Sequence, residues 1–236
     1  IVVTWSSHDT AGQGKNVKSR VFYSNGAPAS NEFLVNSHTN KNQNPQGVCG
    51  LSYGGFVIVW TSDGQKEKHD IYARIYNNDG SPRTGEFLVN NVFTNEQRNP
   101  SVACLLDGGF VVTWDSEHPP KGSYAKVYNM NGVARVNDFS VLNSGEKAAV
   151  APLDQGGFVV AFEMNDDDKH GVFIRMYNSA GVSISSTWRM NQYTSKEQRN
   201  ARVAMLDGGF VVVWESEGQD SDGYGIFLRK YTAPLA

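Results

Sequence analysis

The chain has 236 residues, of which 39% are hydrophobic, 24 are glycine and only 19% are charged, with a formal net charge of −3. That profile excludes a disordered polymer or a helical bundle and favours short strands joined by many turns. It leaves no basic footprint for a nucleic-acid partner, and no apolar run nears the roughly 18 residues that membrane insertion requires.

Read from the N-terminus, "IVVTWSS" is a short apolar run ending on an aromatic residue. A basic strand through Arg20 follows, then a turn at Gly26 and "EFLVN". The next stretch has four strand-like runs, "VCGLS", "FVIVWTS", "IYARIYN" and "EFLVN", rich in β-branched and aromatic residues and bounded by Gly, Asn, Asp and Pro. The same order returns with "LLDGGFVVTWDS", then "LDQGGFVVAFEM", then "MLDGGFVVVWES". "DGG" and "NDG"-type dipeptides sit where hairpin turns are needed, since Gly, Asn and Asp accept positive φ.

Three columns keep step through the chain. Trp5, Trp60, Trp114, Phe162 and Trp214 form one. Arg20, Arg74, Lys126, Arg175 and Arg229 form the second, each with an aromatic residue two places on; Gly26, Gly80, Gly132 and Gly181 form the third. A four-stranded meander repeated at about 50 residues is a propeller blade. The expected fold is therefore all-β: one propeller domain over 1–236, of about five four-stranded blades. Its second strands fall at 1–5, 56–60, 110–114, 158–162 and 210–214, packed between neighbouring blades. The aromatic column is expected to be core and the basic column structural. Five copies of the second and third strands stand against four of the first and fourth. The chain begins at Ile1 inside one blade and ends in "APLA" inside another, which reads as a processed chain or a segment of a longer array.

In a meander, the second-to-third and fourth-to-first connections share one face of the disc. Those loops are long and polar here, so binding residues are expected on that face. Cys49 and Cys104 occupy matching places in successive repeats, positions expected to be too far apart for the ~4.4–6.8 Å Cα separation of a disulfide. They read as buried free thiols.

The pattern "EFLVN…T..EQRNPSVA.L.DGGFVVTW.S" resembles the tandem repeats of very large secreted, adhesin-type surface proteins of bacteria. The resemblance spans nearly the whole chain and weakens over residues 143–157, where the "EQRNP" element is lost. It implies an extracellular or cell-surface location and an adhesive or carbohydrate-contacting role.

The "EQRNP" loop supplies the candidate ligand contacts: Gln43 and Asn44 in a diverged copy, Gln97, Arg98 and Asn99 in a second, Gln198, Arg199 and Asn200 in a third. Their mixed donors and acceptors suit sugar hydroxyls, with Tyr53, Phe93, Tyr193 and Tyr224 as stacking candidates. His8, His69, His118 and His170 lie in second-to-third loops beside Asp9, Asp70, Glu117 and Asp168, and His38 in a fourth-to-first loop, without metal-ligand spacing. No cofactor is expected. The acidic runs at 165–169 and 217–225 invite a calcium reading but lack the full loop pattern. The inner strands "VCGLS", "SVACLL", "AAVAPL" and "ARVAML" hold no carboxylate, and no nucleophile motif is present. The expected function is a non-catalytic, lectin-like propeller that binds glycans or cell-surface glycoconjugates at several weak sites; the alternative is a structural or protein-interaction module of a larger surface protein.

Overall fold

The computed structural model describes residues 1–8, 14–166 and 168–232. Among them there is no helix: eighteen strands form five antiparallel sheets arranged as the blades of a β-propeller. Blade 1 holds β1 (Val2–His8), β2 (Lys15–Val21) and β3 (Phe33–Leu34). Blade 2 holds β4 (Gln43–Gly50), β5 (Phe56–Asp63), β6 (His69–Tyr76) and β7 (Phe87–Leu88). In blade 3 are β8 (Gln97–Cys104), β9 (Phe110–Ser116), β10 (Gly122–Tyr128) and β11 (Ala134–Asn143). Blade 4 comprises β12 (Glu146–Pro152), β13 (Phe158–Asn165), β14 (His170–Tyr177) and β15 (Trp188–Arg189). Blade 5 comprises β16 (Gln198–Leu206), β17 (Gly209–Glu217) and β18 (Tyr224–Thr232). Among the described residues the two end blades thus have three strands each, blade 1 without an inner strand and blade 5 without an outer one.

Alternation along the second strands explains why they are apolar on both faces. In β9, Phe110, Val112 and Trp114 pack toward blade 2, while Val111 packs toward blade 4. Four such cores join blades 1 to 2, 2 to 3, 3 to 4 and 4 to 5. Trp60, Trp114, Phe162 and Trp214 are buried in them. Trp5 is only half-buried, because its face of β1 has no blade packed on it. The hairpin glycines answer a local need. A side chain at Gly55, whose φ is 90°, would run into the Tyr76 carbonyl oxygen.

In blades 2 to 5 the basic column ties each blade to the outer strand of the one before. Arg74 Nη1 donates to Val35 O at 3.0 Å, Lys126 Nζ to Val89 O at 2.9 Å, Arg175 Nη1 to Val141 O at 2.9 Å and Arg229 Nη1 to Met190 O at 3.2 Å. These bonds saturate carbonyls that β-pairing leaves open, so the column is structural.

The cysteine expectation is corrected. Cys49 and Cys104 form a disulfide with Cα atoms 5.6 Å apart, joining the inner strands of blades 2 and 3. The reason lies in register. Cys104 stands opposite Phe110 as Gly50 stands opposite Phe56, so Cys104 is one residue later in its repeat than Cys49. A one-residue offset turns a strand side chain to the other face. The two thiols therefore point at each other across adjoining inner strands.

Candidate active site

The residue directly after the aromatic column is Ser6, Thr61, Asp115, Glu163 or Glu215 in the five blades. Strand alternation turns it toward the following blade. The inner strands of blades 3, 4 and 5 bulge at this level: the ladder slips between Arg98 and Ser101, Glu146 and Ala149, and Arg199 and Arg202. Within each bulge one residue takes left-handed backbone, Asn99 (φ 52°), Lys147 (φ 52°) and Asn200 (φ 55°). A bulge leaves an N–H without a ladder partner, and here that N–H meets the carboxylate of the preceding blade. Lys147 N donates to Asp115 Oδ2 at 2.8 Å, and Asn200 N to Glu163 Oε1 at 2.6 Å. Side chains complete a belt around the inner strands. Asn99 Nδ2 donates to Asp115 Oδ2 at 2.9 Å, Ser123 Oγ to Asp115 Oδ1 at 3.0 Å and Lys147 Nζ to Glu163 Oε2 at 3.1 Å.

Two cavities open on this belt. A cleft of about 180 Å³ is lined by Arg98, Asn99, Asp115, Glu117, Lys121 and Glu146, among others. It meets, at Asn99, a cavity of about 310 Å³ walled by Gln46, Ser101, Lys147, Asn200 and Arg202. These residues come from all four inner strands. Three carboxyls thus face one small cleft, with Arg98 and Lys121 as the cationic wall.

Their ionisation differs by cause. Burial pushes the Asp115 carboxyl up to about 6, in spite of the hydrogen bonds from Asn99, Lys147 N–H and Ser123 that favour its anion. Glu117, at the exposed rim, is held below the usual carboxylate range by Lys121, whose Nζ donates to Glu117 Oε2 at 2.6 Å. Glu215, in blade 5, is likewise lowered by the Arg199 guanidinium, with Nε at 2.9 Å. One cleft therefore offers a carboxylic acid near neutrality beside a carboxylate fixed as an anion.

The residues read from the "EQRNP" loop divide into two sets. Gln43, Gln97 and Gln198 are buried and tie their own loops. Their Nε2 atoms donate to Asn40 O, Thr94 O and Ser195 O, and Gln97 Oε1 accepts from Trp114 Nε1 at 3.1 Å. Asn44 is half-buried in β4, paired with Thr61. Arg98 is exposed, lines the cleft and pairs with Glu96; Asn99 is bound to Asp115. Arg199 covers the Tyr224 ring, and Asn200 belongs to the belt. The loops thus place Arg98 and Asn99 in the cleft, and Asn200 in the adjoining cavity.

Of the stacking candidates, Tyr224 is half-covered by Arg199 and bonded to Glu197 at 3.0 Å, Phe93 stands over Lys66, and Tyr53 lies in a tight turn against Gly108. His69 and His170 lie beside Glu96 and Glu197, at 3.8 and 3.7 Å, and His118 Nδ1 is 2.9 Å from Thr94 Oγ1. Asp9, Asp167 and residues 233–236 lie outside the described residues. Among the described residues, no group of three or more His, Cys, Asp or Glu could hold a metal ion. Asp115, Glu163 and Glu215 stand outside the inner strands, on β9, β13 and β17, where a carboxylate facing the channel is not expected. The signal was one strand away, in the column beside the tryptophans.

No family model matches the chain, and no curated protein does. Solved structures do share the fold. A protein of unknown function from Dyadobacter fermentans has a TM-score of 0.61 at 11% identity, covering 96% of this chain and 71% of that one. The α-L-arabinanase of Penicillium chrysogenum, solved with arabinobiose, has 0.57 at 11%, covering 97% and 71%. The endo-arabinase of Bacteroides thetaiotaomicron has 0.56 at 10%, covering 98% and 94%. At these identities the likeness is one of fold. The expectation of a non-catalytic, lectin-like propeller is corrected here: arabinanases share the architecture, and carboxylates that the inner-strand stretches lack are supplied from the second strands, where Asp115 and Glu163 meet the bulges of the following inner strands.

Proposed function

We propose that this propeller is a carbohydrate-active enzyme that hydrolyses glycosidic bonds at the cleft between blades 3 and 4. The observation that carries the reading is the opposite displacement of two carboxyls in one cleft: Asp115 raised to about 6 and Glu117 lowered. Pairs pushed apart in this way divide into acid and base, and glycoside hydrolysis requires such a pair flanking the scissile bond. Asp115 gives its proton to the leaving glycosidic oxygen as the bond from the anomeric carbon breaks. Glu117 takes a proton from the water that attacks that carbon. Arg98 and Lys121 donate to sugar hydroxyls, and Asn99 holds the Asp115 carboxyl in place.

The arabinanases of like fold make arabinose-containing glycans the first substrates to test. An extracellular location and kinship with secreted bacterial surface repeats belong to the same proposal, and the Cys49–Cys104 bond supports an oxidising compartment. The test is release of reducing ends from arabinan, arabino-oligosaccharides and a panel of nitrophenyl glycosides, by wild type and by Asp115→Asn. Hydrolysis that disappears with the substitution supports the reading. Absence of hydrolysis on the whole panel, or an Asp115→Asn protein as active as wild type, overturns it.

A further inference from the structure

The four inter-blade cores share one construction, and the end blades each present half of it to solvent. Toward the next blade, every blade offers its second and third strands, covered by the inner strand that follows: β5 and β6 meet β8, β9 meets β12, and β13 and β14 meet β16. Blade 5 has the same face, and among the described residues no inner strand covers it. Ile226, opposite Glu215, is 72% exposed, whereas its equivalents Val17, Ile71 and Val172 are wholly buried. Leu228 is 62% exposed, against none for Ala73, Ala125 and Ile174. Met205, standing where Leu51, Leu105 and Leu153 are buried, is 39% exposed.

Blade 1 shows the complementary deficit. Ile1 is 67% and Val3 45% exposed, although Phe56 and Ile58, Phe110 and Val112, Phe158 and Val160 are buried in the same places. The inner edge of β1 and the outer edge of β18 have no strand paired on them among the described residues. Arg20 repeats the theme. The other four members of its column bond a carbonyl of the preceding outer strand, whereas the bond found for Arg20 runs within blade 1, from Nε to Ser30 O at 3.0 Å.

The geometry points to a single extended segment as the occupant of these surfaces: a polypeptide with the sequence pattern of this chain's own outer-to-inner strand passage, as in residues 188–206. Its first part pairs with the free edge of β18 and offers Arg20 the missing carbonyl. Its second part pairs with β1, covers Ile226, Leu228 and Met205, and brings Ile1 and Val3 against blade 5. A second copy of the chain cannot do this, because the covering element is an inner strand and blade 1 has none to offer. Apolar patches of this kind mark interaction sites, and strand addition to a free edge is an established mode of peptide capture. The surface lies away from the cleft between blades 3 and 4, so the inference stands apart from the catalytic reading.

The probe is a synthetic peptide of residues 188–206, tested by fluorescence anisotropy and by hydrogen exchange of the full chain. One peptide is expected to bind per chain, with new protection confined to β1, β17 and β18. Leu228→Asp and Ile226→Asp should weaken binding at least tenfold. Because both side chains are exposed in the chain alone, neither change should lower its Tm, which separates loss of docking from loss of fold. Failure of the peptide to bind, protection elsewhere, or head-to-tail self-association with the same protection in sedimentation experiments would overturn the proposal.

Discussion

On the face of blade 2 that meets blade 3, Thr61 donates its hydroxyl to Gln46 of its own inner strand at 2.6 Å, and a disulfide pins the inner strands of the two blades. Where blade 3 meets blade 4, Asp115 stands in the place of Thr61 and accepts from Asn99, Ser123 and the bulge N–H of Lys147. Each facing inner strand carries a left-handed bulge residue, Asn99 or Lys147, and the differing position follows a buried tryptophan in both blades, Trp60 or Trp114. One junction is crossed by a covalent link, with the neutral Thr61 tied inside its own blade. The other carries an ionisable group at the wall of a cleft. In a repeat fold, columns shared by all blades report packing, and a column that changes type from blade to blade reports where chemistry has been placed.

The largest expected effect separates the two junctions directly. Asp115→Asn should lower hydrolysis by roughly 10²–10⁴-fold, the range of a lost general acid, while Thr61→Val should leave it near wild type; steady-state kinetics on arabino-oligosaccharides measure both. Next come the packing residues. Trp114→Ala should destabilise by about 3–5 kcal/mol, and Trp5→Ala by much less, since Trp5 is only half-buried whereas Trp114 is fully buried against blade 2. Chemical denaturation of the two variants sharpens the contrast between closed and open junctions. Opening the disulfide by Cys49→Ala with Cys104→Ala should cost about 4 kcal/mol for a loop of 55 residues, read from the same curves.

A smaller effect follows from linkage. Because the Asp115 carboxyl is raised from 3.8 to about 6 in the fold, the folded state holds a proton that the unfolded chain has released between those values. Its contribution falls as pH rises through this window and is fully lost above about 6, a change of at most about 3 kcal/mol before solvent screening. Asp115→Asn should therefore gain stability over wild type at pH 8 and little at pH 4. Thermal melts at the two pH values check the sign. A variant that gains stability as it loses activity is the pattern of a strained functional site.

Much of this was legible in the sequence. The fold follows from columns in step, because a repeat imposes one environment on every copy: the sequence alone places Trp60, Trp114 and Trp214 in core and Arg74 in structure. The disulfide was missed through a one-residue slip. Cys49 and Cys104 differ by 55 positions where Trp60 and Trp114 differ by 54, and that single residue decides which face a strand side chain takes. The glutamines of the "EQRNP" loop recur because each loop needs its own carbonyls bound, a local demand that a ligand-binding loop also shows. The role of Asp115 was the hardest to see, since its partners Lys147 and Ser123 come from the next blade and the next strand. Only the bulges bring them within reach.

The most direct test of the account is the titration of the Asp115 carboxyl itself, followed by carbon-detected NMR with Asp115→Asn for assignment. The account predicts a midpoint near 6, with Glu117 titrating below the ordinary range for glutamate. An Asp115 midpoint at or below 3.8 would mean that the hydrogen bonds from Asn99, Lys147 and Ser123 outweigh burial, leaving the cleft with an anion where the mechanism needs an acid.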